Sequence, residues 1–264
     1  MLKLEGVRKV FNEGSPDQKV ALDHLDLTLQ PGDFVTIIGS NGAGKSTLMN
    51  MISGVLRPDA GTIEIDGQSA THLPEHRRAQ VIGRVFQDPM AGTAPSMTIE
   101  ENLAIAYSRK ERRTLRIGVS RKRKELFREL LADLNLGLEQ RLSAKAGLLS
   151  GGERQALSLL MASFTDPKVL LLDEHTAALD PARAQVVTDL TREIVERKRL
   201  TTLMVTHNMQ QALDLGNRLL MMDQGRIILD VPSADKLKLT VPDLLAEFER
   251  IRGEKLVSDR VVLG

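Results

Sequence analysis

The stretch Gly39-Ser40-Asn41-Gly42-Ala43-Gly44-Lys45-Ser46-Thr47 stands between a β-branched run, Phe34-Val35-Thr36-Ile37-Ile38, and a helical stretch from Lys45 through Ile52. Strand, glycine-rich loop, helix is the order in which a chain cradles phosphate. Gly39, Gly42 and Gly44 let the backbone wrap closely round phosphate oxygens. Their N–H groups then converge at a helix N-terminus, where the dipole favours an anion. Lys45 supplies a cation to the β- and γ-phosphates of a nucleotide, the Ser46 hydroxyl is placed to ligate Mg²⁺, and Thr47 adds a phosphate contact, with Ser40, Asn41 and Ala43 completing the loop. Taken alone, the pattern also fits a glycine-rich βα turn carrying an incidental lysine.

Working outward, two further apolar runs end in polar residues suited to the same chemistry. Val169-Leu170-Leu171-Leu172 is continuous, as in a strand buried on both faces of a parallel sheet, and it stops at Asp173-Glu174. The carboxyl end of such a strand is where ligands sit in an open α/β sheet; the plainer reading is a pair of acids capping the next helix. Leu203-Met204-Val205-Thr206 is the second run and is followed by His207, which on its own would be a structural histidine. Between the two runs, Pro181 to Lys198 reads as the helix of a right-handed βαβ crossover. Leu149-Ser150-Gly151-Gly152-Glu153-Arg154-Gln155 carries a serine N-cap with a glutamate in the first turn.

The remainder fits an α/β fold around these elements. Leu2 to Val10 and Ala21 to Leu29 alternate as half-buried strands about the turn Gly14-Ser15-Pro16-Asp17, and Thr62 to Asp66 alternates likewise, so an antiparallel β subdomain opens the chain. Residues 1–87 and 166–230 make a nucleotide-binding core with a mostly parallel sheet. Residues 88–165 form an inserted helical subdomain with helices near Ile99 to Ala106 and Lys124 to Leu134. Leu219 to Met222 and Arg226 to Leu229 close as a hairpin, and 231–264 is a tail with a short helix from Val241 to Ile251. With 264 residues, 42% of them hydrophobic, the chain is long enough for one large α/β domain. A net charge of +1 gives no global pull toward nucleic acid or membrane, and the absence of cysteine excludes disulfides and thiolate metal sites. No signal-peptide pattern or membrane-length apolar run occurs, so the chain is expected in the cytoplasm. One local cluster stands out: Arg109 to Arg128 holds ten Lys or Arg against Glu111 and Glu125. It reads as a solvated loop or as a patch attracted to anionic lipid, and the shortage of aromatic residues there argues against nucleic acid.

Together, the phosphate loop and the Leu149 to Gln155 string resemble the ATP-binding-cassette (ABC) ATPases over nearly the whole chain. The resemblance implies an ATP hydrolase using ATP and Mg²⁺, in which Glu174 is the general base, Asp173 faces Mg²⁺ through its water, and His207 contacts the γ-phosphate. It further implies that Gln87 senses Mg²⁺ and water, and that Phe11 stacks on adenine where an ordinary core phenylalanine is the alternative. Ser150, Gly151 and Gly152 would bind the γ-phosphate of ATP held by a second subunit, and Ala178-Leu179-Asp180 would cross the dimer interface. The expected partners are that second ABC ATPase subunit, identical or related, transmembrane permease subunits, and a solute-binding protein acting through the permease, with no nucleic acid. The chain would then be peripheral on the inner face of the cell membrane. His175 departs from the proline usual after the base, and the string from Asp173 to Asp180 resembles an importer branch related to the branched-chain amino-acid systems. The reading is an importer subunit for a small amino-acid-like solute; an exporter subunit and a soluble iron–sulfur assembly ATPase are the alternatives.

Overall fold

The computed structural model describes residues 1–110 and 119–262. Strands β1 (Leu2–Phe11) and β2 (Lys19–Leu29) pair antiparallel, with Leu2 opposite Leu29 and Phe11 opposite Lys19, and β4 (Ala60–Ile65) and β5 (Gln68–Ser69) extend the sheet in the order β2-β1-β4-β5. The alternation is expressed directly: Leu2, Leu4, Val7 and Val10 turn inward.

The second sheet runs β10-β9-β3-β8-β7-β6. It comprises β3 (Phe34–Gly39), β6 (Ile82–Val85), β7 (Val169–Asp173), β8 (Thr202–Val205), β9 (Arg218–Asp223) and β10 (Arg226–Val231). β3, β6, β7, β8 and β9 are parallel, and only β10 runs against its neighbour β9. β7 is buried on both sides: Val169 and Leu171 join the core between the two sheets, while Leu170 and Leu172 join the core beneath the helices. A continuous apolar run is what such a position requires.

Helix α1 (Lys45–Ser53) fills the space between the sheets with Leu48, Met49, Met51 and Ile52. α2 (Glu75–Arg78) precedes β6, and α3 (Ile99–Tyr107), α4 (Arg121–Ala132) and α5 (Gly151–Ser163) follow it. The buried sides of these three share one core with Val85, Leu170 and Leu172, so the helical segment rests directly on the sheet. α6 (Pro181–Lys198) makes the βαβ crossover, then α7 (Met209–Asp214) follows β8, and α8 (Ser233–Lys236) and α9 (Val241–Val262) end the chain.

Two helix boundaries differ from the sequence reading by three residues or more. α4 begins at Arg121, three residues before Lys124, because Ser120 caps it by accepting a hydrogen bond from the Arg123 N–H. The four cations of its first turn oppose the helix dipole and hide that start. α9 runs to Val262 rather than stopping at Ile251; Gly253 is carried inside the helix, at a cost of about 1 kcal/mol relative to alanine. Of the basic cluster, residues 111–118 lie outside the described residues. Lys124 in α4 pairs with Glu100 at 3.0 Å, and the Arg123 guanidinium lies 5.4 Å from the Tyr107 ring centre. Among the described residues no helix is long and apolar enough to cross a membrane.

Candidate active site

Close packing on two sides shapes the phosphate loop. A Cβ at Gly39 would fall 2.2 Å from the Met222 carbonyl oxygen on neighbouring β9. At Gly44, the N-cap of α1 with φ +102°, it would fall 2.4 Å from the Ala21 oxygen of β2. Only glycine permits these approaches. Lys45 is buried, and its ammonium donates to the carbonyls of Gly39 at 2.7 Å and Ser40 at 2.9 Å. Burial holds its pKa below the ordinary lysine value, with Glu174 and Asp173 pulling partly back. The loop lines a cavity of about 190 Å³ that brings Asn41 through Thr47 together with Phe11, Lys19, Glu174 and His207. Phe11 is half-buried at this cavity rather than in the core. Ser40 donates to Asp223 at 3.1 Å.

At the end of β7 the two adjacent carboxylates separate. The Glu174 N–H donates to the Val205 carbonyl at 2.9 Å, which keeps the β8 register, while its φ of +47° turns the side chain toward the cavity. This left-handed backbone costs about 1 kcal/mol or more for a non-glycine residue. Glu174 Oε1 lies 2.5 Å from His207 Nε2, with the carboxylate side chain 11% and the imidazole 47% exposed, so the histidine keeps an open side. Asp173 Oδ2 accepts from Arg84 Nη2 at 3.0 Å.

Behind this pair, Gln211 of α7 joins the two loops. It accepts from Thr206 at 2.7 Å and donates to Thr176 at 3.2 Å and Thr188 at 2.9 Å. His175, next to Glu174, points away from the cavity into α6, where its Nε2 lies 2.9 Å from Thr191 Oγ1.

For a metal, the described residues contain no cluster of three or more His, Cys, Asp or Glu. What they offer is an exposed Ser46 hydroxyl in the first turn of α1 and the second oxygen of Asp173, Oδ1. An oxygen-only set of one hydroxyl and one carboxylate fits Mg²⁺, which uses few protein ligands and completes its shell with water and nucleotide phosphates.

The remaining candidate residues stand outside the cavity. Gln87 is exposed just beyond β6, and the preceding Phe86 carbonyl accepts from Gln155 of α5 at 2.9 Å. Ser150, Gly151 and Gly152 open α5. The Ser150 hydroxyl accepts from the Glu153 N–H at 3.3 Å, and the Glu153 carboxylate accepts in turn from the Ser150 N–H at 2.7 Å. A Cβ on Gly151 would meet Leu179 at 3.1 Å and one on Gly152 would meet Arg183 at 3.2 Å, so this helix start abuts the loop before α6 and the first turn of α6. Lys19, Arg84 and Gln211 were not singled out from sequence, since their contacts are made with distant residues and no local spacing marks them.

Chemically, the cavity presents an anion cradle and a cation beside a carboxylate joined to an imidazole. That is equipment for holding a polyphosphate and deprotonating a water.

The ABC transporter family profile matches residues 22–177. A tyrosine transport ATP-binding protein of Clostridioides difficile (strain R20291) is 45% identical over 249 residues, covering 94% of this chain and 99% of that protein. The lipoprotein-releasing system ATP-binding protein LolD 1 of Caulobacter vibrioides is 36% identical over 235 residues, covering 88% of this chain and 96% of that protein. Among solved structures, a dimeric ATP-binding cassette in a post-hydrolysis state with ADP and Pi aligns with a TM-score of 0.75 at 27% identity, covering 88% of this chain and 99% of that one.

Proposed function

Given that this chain belongs to the ABC transporter family, we propose that it is the ATP-hydrolysing subunit of an importer for an amino-acid-type solute, acting as a dimer on permease partners. The observation carrying the catalytic part is the Glu174–His207 pair facing the Lys45 loop across one cavity. In the proposed roles, the loop N–H groups and Lys45 hold the phosphates, and Phe11 stacks on the base. His207 engages Glu174 through Oε1, which leaves Oε2 for the attacking water. Glu174 takes the water proton as the water oxygen bonds to the γ-phosphorus and ADP leaves in line. Mg²⁺, held between Ser46 and Asp173, would supply charge neutralisation on the β- and γ-phosphates. Ser150, Gly151 and Gly152 open a helix N-terminus suited to a γ-phosphate and do not line their own chain's cavity, so a second subunit's ATP is their proposed ligand.

The cargo proposal rests on the similarity to the tyrosine transport protein and on the Asp173 to Asp180 string. Its test is ATPase activity of this chain reconstituted in proteoliposomes with the permease that co-purifies with it. Stimulation by a binding protein loaded with tyrosine or another amino acid is expected. Stimulation by a lipid-linked substrate with none by amino acids would instead favour an extruding complex, the reading that the lipoprotein-releasing relative supports.

A further inference from the structure

We propose that Arg84 is a positioning residue that holds Asp173 and couples the metal-side carboxylate to the Gln87 segment. The inference rests on Asp173 being that carboxylate. Arg84 sits on β6 with its side chain 13% exposed, and its guanidinium spans three elements. Nη2 donates to Asp173 Oδ2 at 3.0 Å. Nη1 donates to Asn50 Oδ1 at 2.9 Å and Ser53 Oγ at 3.1 Å, both on α1, the helix that begins at Lys45. The guanidinium carbon lies 4.8 Å from the centre of the Phe86 ring. Phe86 immediately precedes Gln87, and its carbonyl is held by Gln155 of α5, the helix that Ser150 opens.

A planar fork fits this position and a point charge does not. Arginine can bond a carboxylate with one nitrogen, bond a neighbouring helix with another and stack its face on an aromatic ring, whereas lysine offers one compact cation. By occupying Oδ2, Arg84 leaves Oδ1 as the oxygen offered to a cation. A displacement of the carboxylate when the cation binds is passed through the guanidinium to Phe86 and so to Gln87. Arg84 also places a second cation, besides Lys45, against the adjacent charges of Asp173 and Glu174, so its loss leaves a half-buried carboxylate unpaired.

Hydrogen exchange on the full chain tests this, in a Glu174→Gln parent to stop turnover, comparing ATP with Mg²⁺ against ATP with EDTA. In the parent, Mg²⁺ is expected to slow exchange in the peptide spanning residues 85–91. Arg84→Met should lose that slowing while its ATP affinity in EDTA stays near the parent's, and its melting temperature should fall because the Asp173 carboxylate loses its partner. In the Glu174-containing enzyme, Arg84→Met should lower kcat at least about tenfold with KM changed less than about threefold, and Arg84→Lys should recover only part of kcat. Full Mg²⁺-dependent slowing and kcat in Arg84→Met would overturn the inference. So would a matching loss of ATP affinity in EDTA, since Arg84 would then only support the fold. If Arg84→Met does not fold, Arg84→Lys carries the comparison, and parent-like slowing and kcat there would be the overturning result. Asp173→Asn separates the two readings. If it abolishes the slowing while Arg84→Met keeps it, the carboxylate assignment stands and the inference falls; if Asp173→Asn keeps the slowing, the assignment falls and takes the inference with it.

Discussion

Acidification should destabilise this protein through one buried ring, His175. The side chain is 1% exposed, with Nε2 2.9 Å from Thr191 Oγ1. That hydroxyl spends its own proton on the Val187 carbonyl at 2.7 Å, so it accepts from His175 and the ring proton sits on Nε2. Nδ1 is buried and no hydrogen bond reaches it. Burial lowers the pKa from 6.5 to about 4, so the folded ring is neutral near neutrality and the unfolded ring protonates first as pH falls. Stability present above pH 6.5 is therefore lost progressively as pH falls toward about 4. Between pH 7.5 and pH 5.0 the unfolded ring gains its proton over about 1.5 pH units while the folded ring stays neutral; at about 1.36 kcal/mol per unit this is about 2 kcal/mol. Urea unfolding followed by circular dichroism at both pH values, in wild type and in His175→Gln, isolates the effect. The other four histidines are common to both proteins and cancel. Wild type should lose about 2 kcal/mol more than the variant on acidification. Equal losses would refute the neutral, desolvated ring.

Two other substitutions probe the phosphate loop. Lys45→Met should weaken ATP binding about tenfold or more, because a charged hydrogen bond to phosphate is lost, while thermal stability without nucleotide holds or rises since a desolvated ammonium is removed; calorimetric ATP titration and melting curves check the two halves. Gly44→Ala puts a methyl 2.4 Å from the Ala21 oxygen at φ +102°, so the loop must move off β2. A stability loss of about 1–3 kcal/mol is expected together with lost ATP binding, and parent-like titration would contradict the packing argument.

How far the sequence foretold these results depended on the reach of the interactions. The β3, loop and α1 unit was readable because its determinants lie within twenty consecutive residues: β-branched strand, glycines, lysine, amphipathic helix. β7 was readable because a strand covered on both faces needs apolar residues at every position, and Val169 to Leu172 meet that condition. The capping box at Ser150 and Glu153 was local too. Arg84 was not legible, because its partner Asp173 lies 89 residues away and an arginine in a strand carries no local sign of what it will meet. The same holds for Gln211, whose bonds to Thr176 and Thr188 span 35 and 23 residues. His175 was read as a departure from proline, but that it turns its back on the cavity to bond α6 follows only from the crossover packing. α4 and α9 were misjudged at their ends, where four cations masked one cap and a tolerated glycine imitated a stop.

The central claim, that Glu174 is the base of an ATP site completed by a second subunit, is tested most directly with Glu174→Gln. The amide removes the proton acceptor and leaves the Lys45 loop and Asp173 in place. After incubation with ATP and Mg²⁺, gel filtration coupled to light scattering and nucleotide extraction should show a dimer retaining one intact ATP per chain, with hydrolysis reduced at least about a hundredfold. A monomer, or a variant that turns over ATP at the wild-type rate, would contradict it.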